Sequence, residues 1–177
     1  GPQVISWASI DVAATLAEAF AVLSDYDRMA GFLPGMIESR VVSRDGSTVI
    51  VDQRADQAVL FFKQRIDVRL RIVETPPRRL SIRAVSGSFS SLDASYELSP
   101  VTAFPGADGR ASREPQTRIE YRARFVPDFD LPRMIGHYVV KRSLERHLAA
   151  LAGEIDRRVA APAAPEPEHP QTRKENR

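Results

Sequence analysis

Apolar and polar residues alternate through most of the stretch from Met36 to Leu98, which is the period of β-strands. The clearest strand spans residues 61–74, where apolar side chains point one way and charged side chains point the other. Its inward residues are Ile66, Val68, Leu70 and Ile72, and its outward residues are Arg65, Asp67, Arg69 and Arg71. Turn-forming pairs at 45–46, 76–77 and 86–87 divide the stretch. The pattern predicts antiparallel strands with one buried face and one solvated face.

A strand and two short helices are predicted before this stretch. Residues 4–12 are rich in β-branched residues and predict the first strand. A helix follows, with Asp11 or Thr15 as its N-cap, and its apolar face is formed by Leu16, Phe20 and Leu23. A second helix then ends at Ala30, because Gly31 and the Pro-Gly pair at 34–35 stop it.

A last strand and a long helix are predicted after the stretch. In the strand, the inward residues are Ile119, Tyr121, Ala123 and Phe125. Asp130 and Pro132 suit the start of a helix. The apolar stripe of that helix is formed by Val140, Leu144, Leu148, Leu151 and Ile155, with Met134 and His137 extending it backwards. The order of elements predicts an α+β fold, in which a curved antiparallel sheet of about seven strands wraps around the long C-terminal helix. The two short helices are expected to close one end.

The chain is expected to form one domain over residues 4–159. Residues 1–3 are interpreted as an N-terminal extension left by a removed tag. Residues 100–116 hold many turn formers and show no periodicity, so a mobile hairpin loop is expected there. Residues 160–177 are rich in Pro, Ala and Glu, and a disordered tail is expected.

Composition narrows the possible chemistry. The 177 residues are 43% hydrophobic and carry a net charge of only +2, with the basic residues spread along the strands, so a nucleic-acid partner is not expected. The absence of cysteine excludes disulfides and thiolate nucleophiles. No phosphate loop, nucleophile elbow or His-x-x-x-His pair occurs, and we expect neither a metal nor a cofactor. No apolar run approaches the ~20 residues of a membrane span, which leaves at most transient membrane contact.

The inward faces predict either a solid core or the wall of a ligand cavity. The candidate cavity residues are Phe62, Gln64, Ile66, Val68, Leu80, Ile82, Leu92, Tyr96, Tyr121 and Phe125 from the sheet, and Met134, His137 and Tyr138 from the helix. Apolar walls with a few polar groups are typical of small-molecule sites. His137 is either a structural residue or a ligand contact or general base. The candidate gate of the cavity is formed by Phe32, Leu33, Gly35 and Met36, which alternatively form a plain helix stop.

Three segments carry a resemblance to a known family. SDYDRMAGFLPGMIESRVVSRDG, PPRRLSIRAVSGSF and PDFDLPRMIG resemble the polyketide cyclase/dehydrase and coenzyme Q-binding branch of the START-like (SRPBCC) superfamily. The resemblance covers about residues 4–158. It implies a helix-grip fold with a hydrophobic cavity between the sheet and the C-terminal helix, which favours a cavity over a solid core. Many relatives begin with a signal peptide, so the resemblance also favours export to the bacterial periplasm over a cytoplasmic location.

The superfamily includes lipid carriers, ubiquinone-binding proteins, aromatases and cyclases, and hormone receptors. The inward faces offer no ordered set of acids and bases that matches the enzymatic members. The expected function is therefore binding or transport of a hydrophobic small molecule, such as a lipid, an isoprenoid quinone or a polyaromatic compound. Two alternatives remain open at this stage. One is a polyketide cyclase, aromatase or dehydratase acting in the same cavity, and the other is an interaction module with a collapsed cavity.

Overall fold

The chain forms a seven-stranded antiparallel sheet that curves around one long helix in a computed structural model. The structure describes residues 3–59, 62–102, 114–131 and 133–161, without the side chains of residues 58, 59, 62 and 133–135. The predicted α+β helix-grip architecture is confirmed. Among the described helices, none is both long and apolar enough to cross a membrane.

The elements follow the predicted order. The strands are β1 (Val4–Val12), β2 (Met36–Asp45), β3 (Thr48–Val59), β4 (Phe62–Thr75), β5 (Arg79–Gly87), β6 (Phe89–Pro100) and β7 (Thr117–Pro127). The helices are α1 (Leu16–Leu23), a 3₁₀ helix (Tyr26–Gly31) and α2 (Arg133–Ala160). In the sheet the strands lie in the order β1-β7-β6-β5-β4-β3-β2, so β1 and β2 form the two edges.

The alternation along the strands sets the two faces of the sheet as predicted. In β4, Leu70 and Ile72 are 7% and 2% exposed, whereas their neighbours Arg69 and Arg71 are exposed. The outward arginines also pair across strands. Arg69 donates to both carboxylate oxygens of Asp52, the residue opposite it in the register, at 2.7 and 2.8 Å. Exposed pairs of this kind contribute little stability, and their placement opposite one another favours the observed register.

The first helix begins at one of its two candidate caps. The side-chain oxygen of Thr15 accepts from the Glu18 backbone N–H at 3.2 Å, and Glu18 accepts from the Thr15 backbone N–H at 2.8 Å. This capping box leaves Asp11 for another partner, and Asp11 pairs with Arg118 at 2.8 Å. The inward side chains Phe20 and Leu23 are buried.

One salt bridge joins the C-terminal end of α2 to the start of the 3₁₀ helix, and two more lie within α2 beside it. Arg158 lies 2.8 Å from Asp25, which immediately precedes that helix. Arg158 also donates to Glu154 at 2.9 Å, and Arg157 donates to the same carboxylate. Hydrogen bonds from Arg157 and Arg158 lower the pKa of Glu154 to about 2. Together with the buried side chains Leu151 and Ile155, these pairs close one end of the fold.

Some predictions fall outside the described residues. Most of the predicted hairpin loop, residues 103–113, is among them, as are Gly1, Pro2 and residues 162–177 of the predicted tail. The side chains of Phe62 and Met134, both predicted in the cavity, are also among them. The structure therefore gives no position for these two candidates.

Candidate ligand-binding cavity

A cavity of about 310 Å³ lies between the inward face of the sheet and α2. Its wall is mainly apolar. Strands β4 to β7 contribute Ile66, Val68, Leu70, Ile72, Leu80, Ile82, Leu92, Ala94 and Phe125, and α2 contributes Val139, Val140, Ser143, Leu144, His147 and Leu151. The volume falls at the lower end of the ~300–1,000 Å³ range of small-molecule sites.

Period-two parity placed the sheet side of this wall well. Every predicted sheet residue whose side chain is described lies in it, namely Gln64, Ile66, Val68, Leu80, Ile82, Leu92, Tyr96, Tyr121 and Phe125. Parity works here because a strand that lines a curved sheet presents every second residue to the inside.

Two of the residues predicted at the start of α2, His137 and Tyr138, do not lie in the described wall. Tyr138 is 59% exposed, and His137 is exposed as well. Tyr138 lies two residues before Val140, about 200° around the helix from it, so it points away from the stripe. His137 does share the phase of Leu144, seven residues later, but the described α2 residues that line the cavity begin only at Val139. Helical phase predicts a face and does not predict where along the helix the cavity starts.

The histidine that lines the described wall is His147, which is not among the predicted cavity residues. It lies three residues after Leu144 and four before Leu151, so the stripe itself was a signal for it. Its Nε2 atom is 2.7 Å from the hydroxyl of Tyr96 on β6. Tyr121 lies opposite Tyr96 on β7, with the two ring centroids 4.9 Å apart.

The three polar side chains of this cluster, those of Tyr96, Tyr121 and His147, are neutral near pH 7. Burial lowers the pKa of His147 to about 4 and raises the pKa of Tyr121 to about 12. Burial also raises the pKa of Tyr96 well above its usual value. None of the described residues that line the cavity is an Asp, Glu, Lys or Arg. The described wall is therefore uncharged at neutral pH.

Most of the other polar side chains in the wall are bonded to the protein. Ser143 on α2 donates to the Oε1 atom of Gln57 on β3 at 3.0 Å. Gln53 on β3 donates to Ser39 on β2 at 3.2 Å. Tyr26 on the 3₁₀ helix donates to Glu74 at 2.9 Å. By contrast, the Tyr121 hydroxyl makes no hydrogen bond to any residue in the described ranges.

Three phenylalanine rings line the cavity towards the start of α2, and sequence reasoning found only one of them. Phe89 packs edge-on against Phe125, with ring centroids 5.6 Å apart, and against Phe129, with centroids 6.1 Å apart. Phe125 follows from the alternation of β7. Phe89 and Phe129 lie at the start of β6 and just after β7, where the periodic signal stops.

The predicted gate separates into two parts. Leu33 and Met36 line the cavity, whereas Phe32 does not. The ring of Phe32 instead lies 5.7 Å from the guanidinium carbon of Arg158, on the side of the salt bridges. Gly35 is tied to β3, because its carbonyl accepts from the Asp56 backbone N–H at 2.8 Å. This bond gives Gly35 a structural role rather than the freedom expected of a gate.

We expect Gly35→Ala to destabilise the fold by about 2–4 kcal/mol. Gly35 has φ +76°, and a Cβ there would overlap the carbonyl oxygen of Asp56. The matched control is Gly46→Ala, where φ is +55° but nothing lies within 4 Å of the new Cβ, so only the backbone cost of about 1–2 kcal/mol applies. Urea unfolding of both variants measures the difference. Equal losses would show that the close approach at Gly35 has no cost.

The fold and the cavity together define a START-like helix-grip protein. Residues 12–152 match the family described as polyketide cyclase / dehydrase and lipid transport, and the chain belongs to that family. The predicted superfamily is thereby confirmed. No curated protein sequence matches the chain. In the described residues, no group of three or more His, Asp or Glu side chains could hold a metal ion.

Several solved structures share the fold at low identity. The Zhui aromatase/cyclase from Streptomyces sp. R1128 aligns with a TM-score of 0.70 at 18% identity, over 90% of this chain and 98% of that one. A START superfamily protein from Mycobacterium smegmatis aligns with a TM-score of 0.66 at 13% identity, over 86% and 97%. The di-domain ARO/CYC StfQ from the steffimycin biosynthetic pathway aligns with a TM-score of 0.65 at 11% identity, over 90% and 53%. These similarities give no support to the expected export to the periplasm.

Proposed function

We propose that the protein binds a hydrophobic small molecule in the cavity between the sheet and α2. The observation that carries this proposal is an apolar-walled space of about 310 Å³, in which no described side chain is charged. Burial of apolar ligand surface against such a wall supplies about 25 cal/mol per Å² before the costs of binding are subtracted. The family description, which includes lipid transport, supports the same function.

The size of the cavity favours a compact ligand. At about 310 Å³, it suits a polyaromatic compound or the ring system of an isoprenoid quinone better than a lipid with two acyl chains. The phenylalanine rings 89, 125 and 129 add aromatic surface to the wall. Aromatic rings favour edge-to-face or offset contact with another ring, so a ring-containing ligand gains more here than a flexible chain does.

Cyclase or dehydratase chemistry in the same cavity is the second candidate function. The hydrogen bond of 2.7 Å between Tyr96 and His147 favours it, because such a pair can exchange protons with a bound ligand. Two of the similar structures are named as aromatase/cyclases. However, a general base works best when its pKa lies near the operating pH, and burial lowers the pKa of His147 to about 4. Binding is therefore the better-supported function, and the cavity also argues against an interaction module with a collapsed interior.

The proposal predicts saturable binding of a neutral aromatic probe. We expect N-phenylnaphthylamine, whose fluorescence increases in apolar surroundings, to bind with one molecule per chain. Naphthalene should displace it, because both compete for the same apolar wall. A fluorescence titration followed by competition with naphthalene measures both results. A signal that rises linearly without saturation, or that naphthalene leaves unchanged, contradicts a single internal site.

A further inference from the structure

We infer that the cavity selects uncharged ligands that carry a carbonyl or hydroxyl oxygen, and that Tyr121 is the residue that recognises this oxygen. The inference rests on the proposed function, since it specifies which hydrophobic molecules the cavity binds. It follows from three features of the described wall. These are the position of Tyr121, the engagement of the other polar groups, and the absence of charge.

The hydroxyl of Tyr121 faces open space inside the protein. Tyr121 lies on the inward side of β7 and lines the cavity between Ile119 and Ala123, which are buried. Its hydroxyl bonds to no described residue. In the described residues, every fully buried side-chain oxygen or nitrogen has a hydrogen-bond partner. Because the Tyr121 hydroxyl has no such partner, it is not fully buried and must border the cavity. It is therefore available to a ligand.

The neighbouring polar groups are not equally available. The ring of Tyr96 is in contact with the ring of Tyr121. The Tyr96 hydroxyl, however, is already paired with His147 at 2.7 Å. On the opposite side, Gln57 is paired with Ser143. A ligand oxygen that replaced either of these bonds would first have to break it, which cancels most of the gain. Of the two tyrosines in this contact, only Tyr121 offers a hydrogen bond without that cost.

An oxygen on the ligand satisfies Tyr121, whereas a hydrocarbon does not. A hydrocarbon that fills the cavity displaces water from the hydroxyl and leaves it unpaired in an apolar environment. A site with a polar group in its wall discriminates against ligands that lack the matching group. From the usual net contribution of one hydrogen bond, we expect a ligand oxygen to tighten binding about threefold to tenfold.

A charged ligand has no partner in the described wall. The arginines of the sheet lie on its outer face, several of them paired with aspartates, and no described lining residue carries a charge. His147 does not supply a positive charge either, because burial lowers its pKa to about 4. Burying an unpaired carboxylate is far less favourable than burying a neutral oxygen. A carboxylate of the same size should therefore bind much more weakly than a ketone or an alcohol.

The experiment compares four ligands of similar size on two variants. Naphthalene, naphthol, acetylnaphthalene and naphthoate compete at pH 8 against N-phenylnaphthylamine, for the unchanged protein, Tyr121→Phe and Tyr138→Phe. Tyr138→Phe is the matched control, because Tyr138 is 59% exposed and lies outside the cavity. We expect naphthol and acetylnaphthalene to bind about threefold to tenfold tighter than naphthalene, and naphthoate to bind at least about tenfold more weakly than naphthol. Tyr121→Phe should remove the first preference, with naphthalene binding at least as tightly as before, because no hydroxyl is then left unpaired.

Each contrary result has a distinct meaning. If naphthoate binds as tightly as naphthol, the cavity accepts anions and the inferred ligand class is wrong. If Tyr121→Phe keeps the preference for oxygen, or Tyr138→Phe loses it, Tyr121 is not the recognising residue. If Tyr121→Phe does not fold, the four ligands on the unchanged protein still decide the ligand class, and Tyr121→His tests the residue. If neither the dye nor any competitor binds, the proposed function itself fails and the inference fails with it.

Discussion

Replacing Ala94 by Phe is expected to abolish ligand binding while the protein remains folded. Ala94 lines the cavity on β6, between Ile82 on β5 and Ala123 on β7 in the register. Its methyl group leaves space that the larger ring would fill. If the ring excludes about 150 Å² of ligand contact, at ~25 cal/mol per Å² the loss is about 4 kcal/mol, or several hundredfold in affinity. Titration with N-phenylnaphthylamine measures the loss.

The matched control for this variant is Ala149→Phe. Ala149 is exposed on the outer side of α2, so the same change in side chain does not reach the cavity. We expect it to bind the dye as the unchanged protein does. Far-ultraviolet circular dichroism and thermal unfolding show whether both variants are folded. A folded Ala94→Phe protein with full affinity would mean that the dye binds elsewhere.

Replacing Ile72 by Asp is expected to prevent folding. Ile72 is 2% exposed at the closed end of the cavity, where Val49 on β3 and Ile82 on β5 flank it in the register. The change removes buried apolar surface and buries a carboxylate for which no described side chain offers a cation. The expected cost is about 5 kcal/mol or more, which is comparable to the total stability of a domain of this size.

The neighbouring residue provides the control. Arg71 is exposed, and no ion pair joins it to another described residue, so Arg71→Ala should change the stability by at most ~0.5 kcal/mol. Urea unfolding, with the yield of soluble protein for Ile72→Asp, measures both. Similar stabilities for the two variants would contradict the assignment of the inward face of β4. Because that assignment also places Ile66 and Val68, the cavity wall depends on it.

Strand parity and turn chemistry predicted the architecture because both are local properties. The alternation in β4 and β7 requires only that one face is buried, and the turns at 45–46, 76–77 and 86–87 require only residues that favour sharp reversals. Thr15 as helix cap followed in the same way, as one of two candidates. For the cavity, parity placed all the described sheet candidates in the wall.

The parts of the site that the sequence did not predict depend on contacts between distant segments. Tyr96 and His147 are separated by 51 positions, and only the packing of α2 on the sheet brings them together. The predicted stripe of α2 was extended to His137, which lies outside the described wall, and it left out His147, whose spacing from Leu144 and Leu151 fits the same face. The contacts of Phe32 and Gly35 depend on distant residues in the same way. Their roles come from Arg158 and Asp56, which a local pattern does not connect with them.

The most direct test of the central claim is a crystal structure of the protein with acetylnaphthalene. We expect one ligand between Ala94 and Phe125 of the sheet and Val140 and Leu144 of α2, with its carbonyl oxygen within hydrogen-bonding distance, about 3 Å, of the Tyr121 hydroxyl. A structure in which α2 packs directly on the sheet without a cavity, or in which the ligand occupies only the outer surface, would contradict the claim that this protein binds hydrophobic molecules in its interior.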